Sequence, residues 1–251
     1  MNYKKYGLIG YPLGHSFSRD YHNRRFTNWG INASYENFEI PSIEDFPEVL
    51  RSNPELRGLN VTIPYKEKVI PYLDQLSDEA RSIGAVNVIR VRREGNGIHL
   101  KGFNSDVIGF TRSIRPLLKD HHRKALVLGT GGASKAVIYG LRTLGIQPLY
   151  VSRQKRPDSM TYQDITHDTL QEYNVIVNCT PLGMYPKVDD CPPLPYESLD
   201  GRHILYDLVY NPQETLFLKK GAAQGAQTKN GLEMLLLQAD ASWEFWEGEE
   251  A

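Results

Sequence analysis

The segment ALVLGTGGAS, residues 125–134, decides the fold of this 251-residue chain. Residues 125–128 form a continuous apolar run, which is typical of a strand buried on both faces of a sheet. A glycine-rich turn follows at once, and the spacing of apolar positions in residues 133–144 predicts a helix. Strand, glycine turn and helix in this order predict a doubly wound nucleotide-binding sheet.

The glycine turn has the composition of a dinucleotide site. Gly129 permits a tight turn, and Gly131 lets the backbone approach a pyrophosphate at the N-terminus of the helix. We assign Gly129, Gly131, Gly132 and Ala133 to the cofactor site, with Ser134 in the place of the usual third glycine. A plain strand-to-helix turn without a ligand is the alternative.

The residues after the next strand indicate which dinucleotide is bound. An NAD site usually carries Asp or Glu about 20 residues beyond the glycine turn. Here residues 151–156 read VSRQKR, with three cations and no acid. The planar fork of arginine suits a 2′-phosphate. The sequence therefore predicts NADP, held first by Arg153 and second by Arg156, and the alternative is a solvated basic loop.

Strand-like runs alternate with helical patterns along the whole chain, which favours an α/β fold. The runs before the glycine turn are residues 6–11, 35–40, 58–62, 85–91 and 98–100, the last two joined as a hairpin. The runs after it are residues 148–152, 175–178 and 203–208. We predict an N-terminal α/β domain of residues 1–103 and 232–251 and a Rossmann-type NADP-binding domain of residues 104–231.

Composition argues against several classes of protein. The 29 basic and 30 acidic residues give a net charge of -1, so no charge excess points to nucleic acid or an anionic membrane as partner. No apolar run approaches the roughly 20 residues that span a bilayer. Cys179 and Cys191 match no metal spacing and no disulfide framework. We therefore expect a cytoplasmic protein without a metal.

Lys66 and Asp106 are the candidate catalytic pair. We expect Lys66 to lie at the start of a helix, with Thr62 as its N-cap and Pro64 in its first turn. A cation there opposes the helix macrodipole, which eases the loss of its proton, and alcohol oxidation needs such a proton acceptor. Asp106 precedes a predicted helix at residues 107–118 and would orient the lysine. Taken singly, Lys66 could be a solvated side chain and Asp106 a helix cap.

These blocks together resemble the shikimate dehydrogenase family, in family order and over nearly the whole chain. The similar segments are residues 10–18 with His22-Asn23, 60–66, 84–87, 102–106, 129–134, 152–153, 178–184, 206–212 and 230–235 with Gln238. The resemblance implies that the N-terminal domain binds substrate. It also implies reversible reduction of 3-dehydroshikimate to shikimate with NADPH, a step toward chorismate and the aromatic amino acids, with Lys66 exchanging the proton and Asp106 as its partner.

The resemblance also implies the ligand contacts. The substrate carboxylate would be bound by the hydroxyls of Ser16 and Ser18. The ring hydroxyls would be held by Asn60, Thr62, Asn87, Asp106 and Gln238. Tyr210 would line the pocket, and Leu208 and Gly231 would contact the nicotinamide end through their backbones. Roles without a ligand are possible for several of these residues, as turn and cap residues for the serines, a strand brace for Asn87 and a surface position for Gln238.

Some positions in or beside these blocks differ from the family pattern. Arg19 follows Ser18 where the family usually has proline, which leaves the entry to the next helix less rigid. Ser152, which we include in the cofactor site, stands where asparagine is more common ahead of Arg153.

Two other functions fit parts of the pattern. One is a quinate/shikimate dehydrogenase of broader specificity, but such enzymes tend to favour NAD through an acidic residue that residues 151–156 lack. The other is a non-catalytic relative that senses the metabolite. Retention of both Lys66 and Asp106 argues against a sensor, because a sensor has no need of a proton-transfer group.

Overall fold

The computed structural model describes residues 3–14, 16–95 and 97–248. The chain forms two compact units. The first consists of the residues up to Ser105 and of those from Ala239 onward, and the second consists of Asp106 to Gln238. The sequence predicts the corresponding limits at residues 103 and 231. Because the observed limit lies at Ala239, the C-terminal helix is divided between the units.

The first unit is built on a six-stranded mixed sheet. Its strands are β1 (Lys4–Gly10), β2 (Ala33–Glu39), β3 (Leu56–Val61), β4 (Gln75–Leu76), β5 (Val88–Glu94) and β6 (Gly97–Phe103). Their order is β2-β1-β3-β5-β6-β4, with β1 parallel to β2 and β3, and β5 antiparallel to β3 and β6. The predicted hairpin is therefore formed by β5 and β6, and Asn96 in its turn lies outside the described residues.

Helices α1 (Phe17–Trp29), α2 (Phe46–Ser52) and α3 (Asp78–Ile83) complete this unit, together with the end of the C-terminal helix. One cluster of buried side chains includes Ile9, Leu59 and Ile89, and a second includes Tyr6 and Trp246. A Cβ atom on Gly58 would lie 2.2 Å from the Trp246 ring. Glycine at this position in β3 therefore lets the C-terminal helix pack against the sheet.

The signature pair His22-Asn23 lies in α1, and both side chains contact Tyr35 of β2. The Asn23 amide accepts from Tyr35 N and donates to Tyr35 O, each at 2.9 Å. The His22 imidazole stacks on the Tyr35 ring, with centroids 4.8 Å apart and planes 14° from parallel. His22 is fully buried, and neither of its ring nitrogens has a hydrogen-bond partner.

The second unit contains a six-stranded parallel sheet of order β12-β11-β10-β7-β8-β9. Its strands are β7 (Lys124–Leu128), β8 (Gln147–Ser152), β9 (Ser159–Thr161), β10 (Val175–Asn178), β11 (Ile204–Asp207) and β12 (Gln227–Lys229). Its helices are α4 (Asp106–Ile114), α5 (Gly132–Thr143), α6 (His167–Glu172), α7 (Leu216–Ala223) and α8 (Leu232–Glu247), the last continuing into the first unit. This order confirms the predicted doubly wound fold, and the direction of winding reverses between β7 and β10.

The helix predicted to begin near Pro64 is absent. Residues 63–69 form turns, and a single 3-10 turn at Ile70–Tyr72 follows them. The Lys66 carbonyl accepts from Val86 N at 2.7 Å, while Ile70 N bonds to Glu67 O instead. Because this carbonyl is paired with the segment before β5, a helix cannot continue through it. The prediction that a helix macrodipole tunes Lys66 is therefore wrong.

Among the described helices, none combines the length and apolarity that would carry it across a membrane.

We expect the first unit to lose stability as the pH falls below about 6.5. Burial, with a smaller effect of Arg25, lowers the pKa of His22 to about 3, whereas an unfolded histidine titrates near 6.5. The unfolded chain therefore binds one more proton between these values. The contribution of neutral His22 is complete above pH 6.5 and falls by about 1.4 kcal/mol per pH unit below it.

Urea unfolding of wild type and His22→Phe between pH 7.5 and 4 measures this contribution. Phenylalanine keeps a flat ring against Tyr35 but does not titrate. As the pH falls, the free energy of unfolding should decrease more steeply for wild type than for His22→Phe. The same pH dependence in both proteins would contradict the expectation.

Candidate active site

The glycine turn lies at the carboxyl end of β7, where the winding of the sheet reverses. Gly129 has a positive φ of 102° and its N–H donates to Val151 O at 2.9 Å. Gly131 precedes α5, and a Cβ atom there would meet no other atom within 4 Å. The first turn of α5, which includes Gly132 and Ala133, carries no acidic residue. The free N–H groups of a helix start and an uncrowded glycine fit a phosphate group.

Ser134 closes this turn from inside. Its side chain is buried, and its hydroxyl donates to Gly131 O at 2.6 Å. Serine at the position of the usual third glycine therefore stabilises this turn through its hydroxyl.

The predicted phosphate-binding arginines lie in the exposed segment that follows β8. Ser152 is buried, and its hydroxyl donates to Gln154 O, which turns the chain directly after the strand. Arg153 lines a cleft of about 390 Å³ together with Thr161, Tyr162, Gln163 and Pro193. Arg156 is held through its backbone, since its N–H donates to Ser159 Oγ at 3.2 Å. Both arginines thus lie in the exposed segment directly after the end of β8.

A buried carboxylate joins the loops that follow β10 and β11. Asp207 is fully buried and accepts from Asn178 Nδ2 at 3.0 Å, Val209 N at 3.0 Å and Thr215 Oγ1 at 2.6 Å. Burial raises the pKa of Asp207 to about 6, against the opposing effect of these three donors. Asp207 was not among the predicted site residues, although it lies in the segment 206–212 that carried the resemblance.

The two predicted nicotinamide contacts lie together. A Cβ atom on Gly231 would stand 2.1 Å from Leu208 O, so glycine is required for this approach. Gly231 N also donates to Val209 O at 3.2 Å. Tyr210, at the end of the same segment, keeps 39% of its surface exposed. The backbone of residues 208–210 is therefore fixed by Asp207 on one side and by Gly231 on the other.

The first unit holds Ser16, Ser18, Asn60, Thr62, Lys66 and Asn87. Ser16 caps α1, because its hydroxyl accepts from Arg19 N at 3.3 Å, and Ser18 is the second residue of the same helix. Thr62 follows β3, and its N–H donates to Ile9 O at 2.9 Å. Lys66 is half-buried in the turns beyond it. His15, which belongs to the same signature as Ser16, lies outside the described residues.

Asn60 and Asn87 belong to one buried polar network. Asn60 Nδ2 donates to Asn87 O at 3.2 Å and to Ser242 Oγ at 3.0 Å. The Asn87 amide bonds twice to Ser105, accepting from its N–H at 2.6 Å and donating to its hydroxyl at 3.0 Å. The hydroxyls of Ser105 and Ser242 lie 3.1 Å apart. Asn87 does brace the end of a strand, and Ser105 and Ser242 are partners that the sequence did not predict.

Asp106 and Gln238 belong to the second unit. Asp106 is the first residue of α4, and only 7% of it is exposed. Gln238 lies on α8, where its Nε2 donates to Leu235 O at 3.0 Å. A Cβ atom on Gly109 of α4 would stand 2.5 Å from Met234 O and 3.0 Å from Gln238 Cβ. Glycine thus brings α4 and α8 into close contact one turn beyond Asp106. Because Lys66 is in the other unit, its pairing with Asp106 stays a prediction.

Comparison with known proteins places the chain in a family. A family model for the shikimate dehydrogenase substrate binding domain matches residues 8–89. A relative from Caldicellulosiruptor saccharolyticus, named shikimate dehydrogenase (NADP(+)), is 35% identical over 97% of this chain and 92% of its own length. The chain belongs to the shikimate dehydrogenase family. The resemblance found in the sequence is thereby confirmed.

Solved shikimate dehydrogenase structures share the fold. A chorismate mutase/shikimate 5-dehydrogenase fusion protein from Clostridium acetobutylicum is 37% identical with a TM-score of 0.85, covering 100% of this chain and 93% of that one. The shikimate 5-dehydrogenase of Thermus thermophilus, solved with NADP(H) and shikimate, is 31% identical with a TM-score of 0.84, covering 98% and 94%.

We expect Asp207→Ala to destabilise the second unit by about 2–4 kcal/mol, because it leaves three buried donors without their acceptor. Asp207→Asn keeps one oxygen for Asn178 and Val209 and places an amide against the Thr215 hydroxyl. It should therefore cost less than half as much. Thermal and urea unfolding of both variants measure the two effects, and equal losses would show that the hydrogen bonds are not what Asp207 contributes.

Proposed function

We propose that this chain catalyses the reversible NADPH-dependent reduction of 3-dehydroshikimate to shikimate, in the biosynthesis of chorismate and aromatic amino acids. The main support is the match of 97% of its length to a shikimate dehydrogenase (NADP(+)). The parallel sheet of the second unit adds a glycine turn and two exposed arginines at neighbouring strand ends, a combination that suits a dinucleotide with a 2′-phosphate.

The residues present fit NADP. When bound, NADPH supplies the hydride. Its pyrophosphate would meet the start of α5 at Gly129, Gly131, Gly132 and Ala133, where no acidic side chain opposes it. Arg153, assisted by Arg156 and Ser152, would hold the 2′-phosphate. Leu208 and Gly231 would contact the nicotinamide end through their backbones.

The chain's own residues bind the substrate and move the proton. The hydroxyls of Ser16 and Ser18 donate to the substrate carboxylate. Ring hydroxyls are held by Asn60, Thr62, Asn87, Asp106 and Gln238, with Tyr210 on the pocket wall. Lys66 donates a proton to the carbonyl oxygen during reduction and accepts it back during oxidation. Asp106 orients both the lysine and the ring hydroxyl.

We place the enzyme in the cytoplasm, as a monomer or homodimer, with small molecules as its partners and neither nucleic acid nor membrane. Light scattering on the purified protein gives the oligomeric state.

Steady-state kinetics with shikimate and quinate, each with NADP and NAD, tests the proposed reaction. We expect kcat/KM to be highest for shikimate with NADP, and Arg153→Ala to narrow the preference for NADP because a charge-assisted contact is lost. Failure to oxidise shikimate with either cofactor would overturn the proposal. A preference for quinate with NAD would favour the broader quinate/shikimate enzyme instead.

Lys66→Ala should lower kcat by about 100- to 10,000-fold, the usual range for loss of a general acid–base group, while shikimate still binds. Asp106→Asn should also lower kcat. Lys68→Ala is the matched control, since Lys68 is an exposed lysine in the same turns. Calorimetric titration of shikimate gives binding separately from turnover. Near-normal kcat in Lys66→Ala, or an equal loss in Lys68→Ala, contradicts the role.

A further inference from the structure

Tyr35 lies at the centre of the polar side chains of the first unit. Only 1% of its surface is exposed, and its phenol donates to Asn60 Oδ1 at 2.8 Å. The Ser18 hydroxyl interacts with the same phenol. One buried hydroxyl thus contacts a proposed ligand of the substrate carboxylate and a proposed ligand of the ring hydroxyls.

The phenol also supplies the donor for the oxygen of the Asn60 amide. Asn60 Nδ2 uses its two protons on Asn87 O and Ser242 Oγ, so the amide oxygen must face Tyr35. An amide has two donors on one side and an acceptor on the other, and the orientation that satisfies both sides is strongly favoured. Without the phenol, the buried oxygen of Asn60 loses its donor from Tyr35 and this preference weakens.

Tyr35 is itself held firmly. Asn23 pairs with both backbone groups of Tyr35, and the His22 ring stacks on the phenol ring. The side chain also belongs to a buried aromatic cluster with Tyr6, Phe26 and Trp246. A phenol fixed at backbone and ring can hold a second side chain in place, which a mobile one could not.

We propose that Tyr35 is a positioning residue for substrate binding, whose phenol sets the side-chain geometry of Asn60 and Ser18. This proposal rests on the proposed function, because it takes Asn60 and Ser18 as contacts of shikimate. Tyr35 itself makes no contact with the reacting atoms. Its loss should therefore weaken the binding of shikimate more than it slows the chemical step or the binding of NADP.

Tyr35→Phe removes the hydroxyl and keeps the ring. We expect the KM for shikimate to rise by about 5- to 10-fold, with kcat and the KM for NADP each within about 2-fold of wild type. Tyr6→Phe is the matched control. Tyr6 is also fully buried in this sheet and its phenol also donates to a side chain, Glu247 at 2.5 Å, but it does not bond to a proposed ligand. Its KM for shikimate should stay within about 2-fold of wild type.

A double-mutant cycle with Asn60→Ala separates positioning from general stability. In the Asn60→Ala background, adding Tyr35→Phe should raise the KM for shikimate by a smaller factor than it does in the wild-type background, because only Ser18 is then left to be positioned. Ser242→Ala removes a hydrogen-bond partner from the other side of the same amide and should also raise the KM for shikimate. It provides a second test if Tyr35→Phe folds poorly.

Three results would overturn the proposal. They are an unchanged KM for shikimate in Tyr35→Phe, an equal rise in Tyr6→Phe, or a full additional loss in the double variant. A wild-type enzyme that turns over shikimate normally beside an unaffected Tyr35→Phe variant overturns this proposal alone. A wild-type enzyme without shikimate turnover overturns the proposed function, and this proposal with it.

Discussion

Burial of β7 and β10 on both faces is the constraint on which the second unit depends. β7 is apolar and buried from Ala125 to Leu128, and β10 is apolar from Val175 to Val177 and buried throughout. Helices must therefore cover each face, and the chain winds outward to β9 on one side before it returns to β10 and winds outward on the other. Because all six strands run parallel, their carboxyl ends collect at one edge. The glycine turn, the basic segment after β8 and the loops tied by Asp207 all follow such ends.

The first unit differs in that it buries polar side chains near a candidate substrate site. Asn60, Asn87, Ser105 and Ser242 satisfy one another, so little of their hydrogen-bonding capacity is left unused in the core. These residues come from β3, the position before β5, the segment between β6 and α4, and the C-terminal helix. The network therefore joins segments that are far apart along the chain, and it fixes amide groups before any ligand arrives.

Local patterns sufficed to predict the hairpin, the nucleotide turn and its helix, and the strands other than the short β4, β9 and β12, because each depends on side chains within a few residues of one another. Residues 63–69 could not be predicted in this way. Thr62 and Pro64 are good helix-start residues, but the Lys66 carbonyl bonds to Val86, a distant partner that no local pattern reveals. Tyr35, Asp207 and Ser242 were missed for the same reason. Each resembles an ordinary strand or helix residue until its partners are known. The resemblance to the family supplied candidate ligand-binding residues, but not the side chains that hold those residues in place.

The contact of Asn23 with Tyr35 has a consequence for the solution behaviour of the protein. β2 is the outermost strand on its side of the sheet, and an outermost strand presents backbone groups to which another chain can add by β-pairing. The Asn23 amide offers one donor and one acceptor to the same residue, as a neighbouring strand would. An incoming strand finds these groups already paired. A residue of the family signature thereby satisfies the backbone N–H and C=O of Tyr35 at this edge of the sheet.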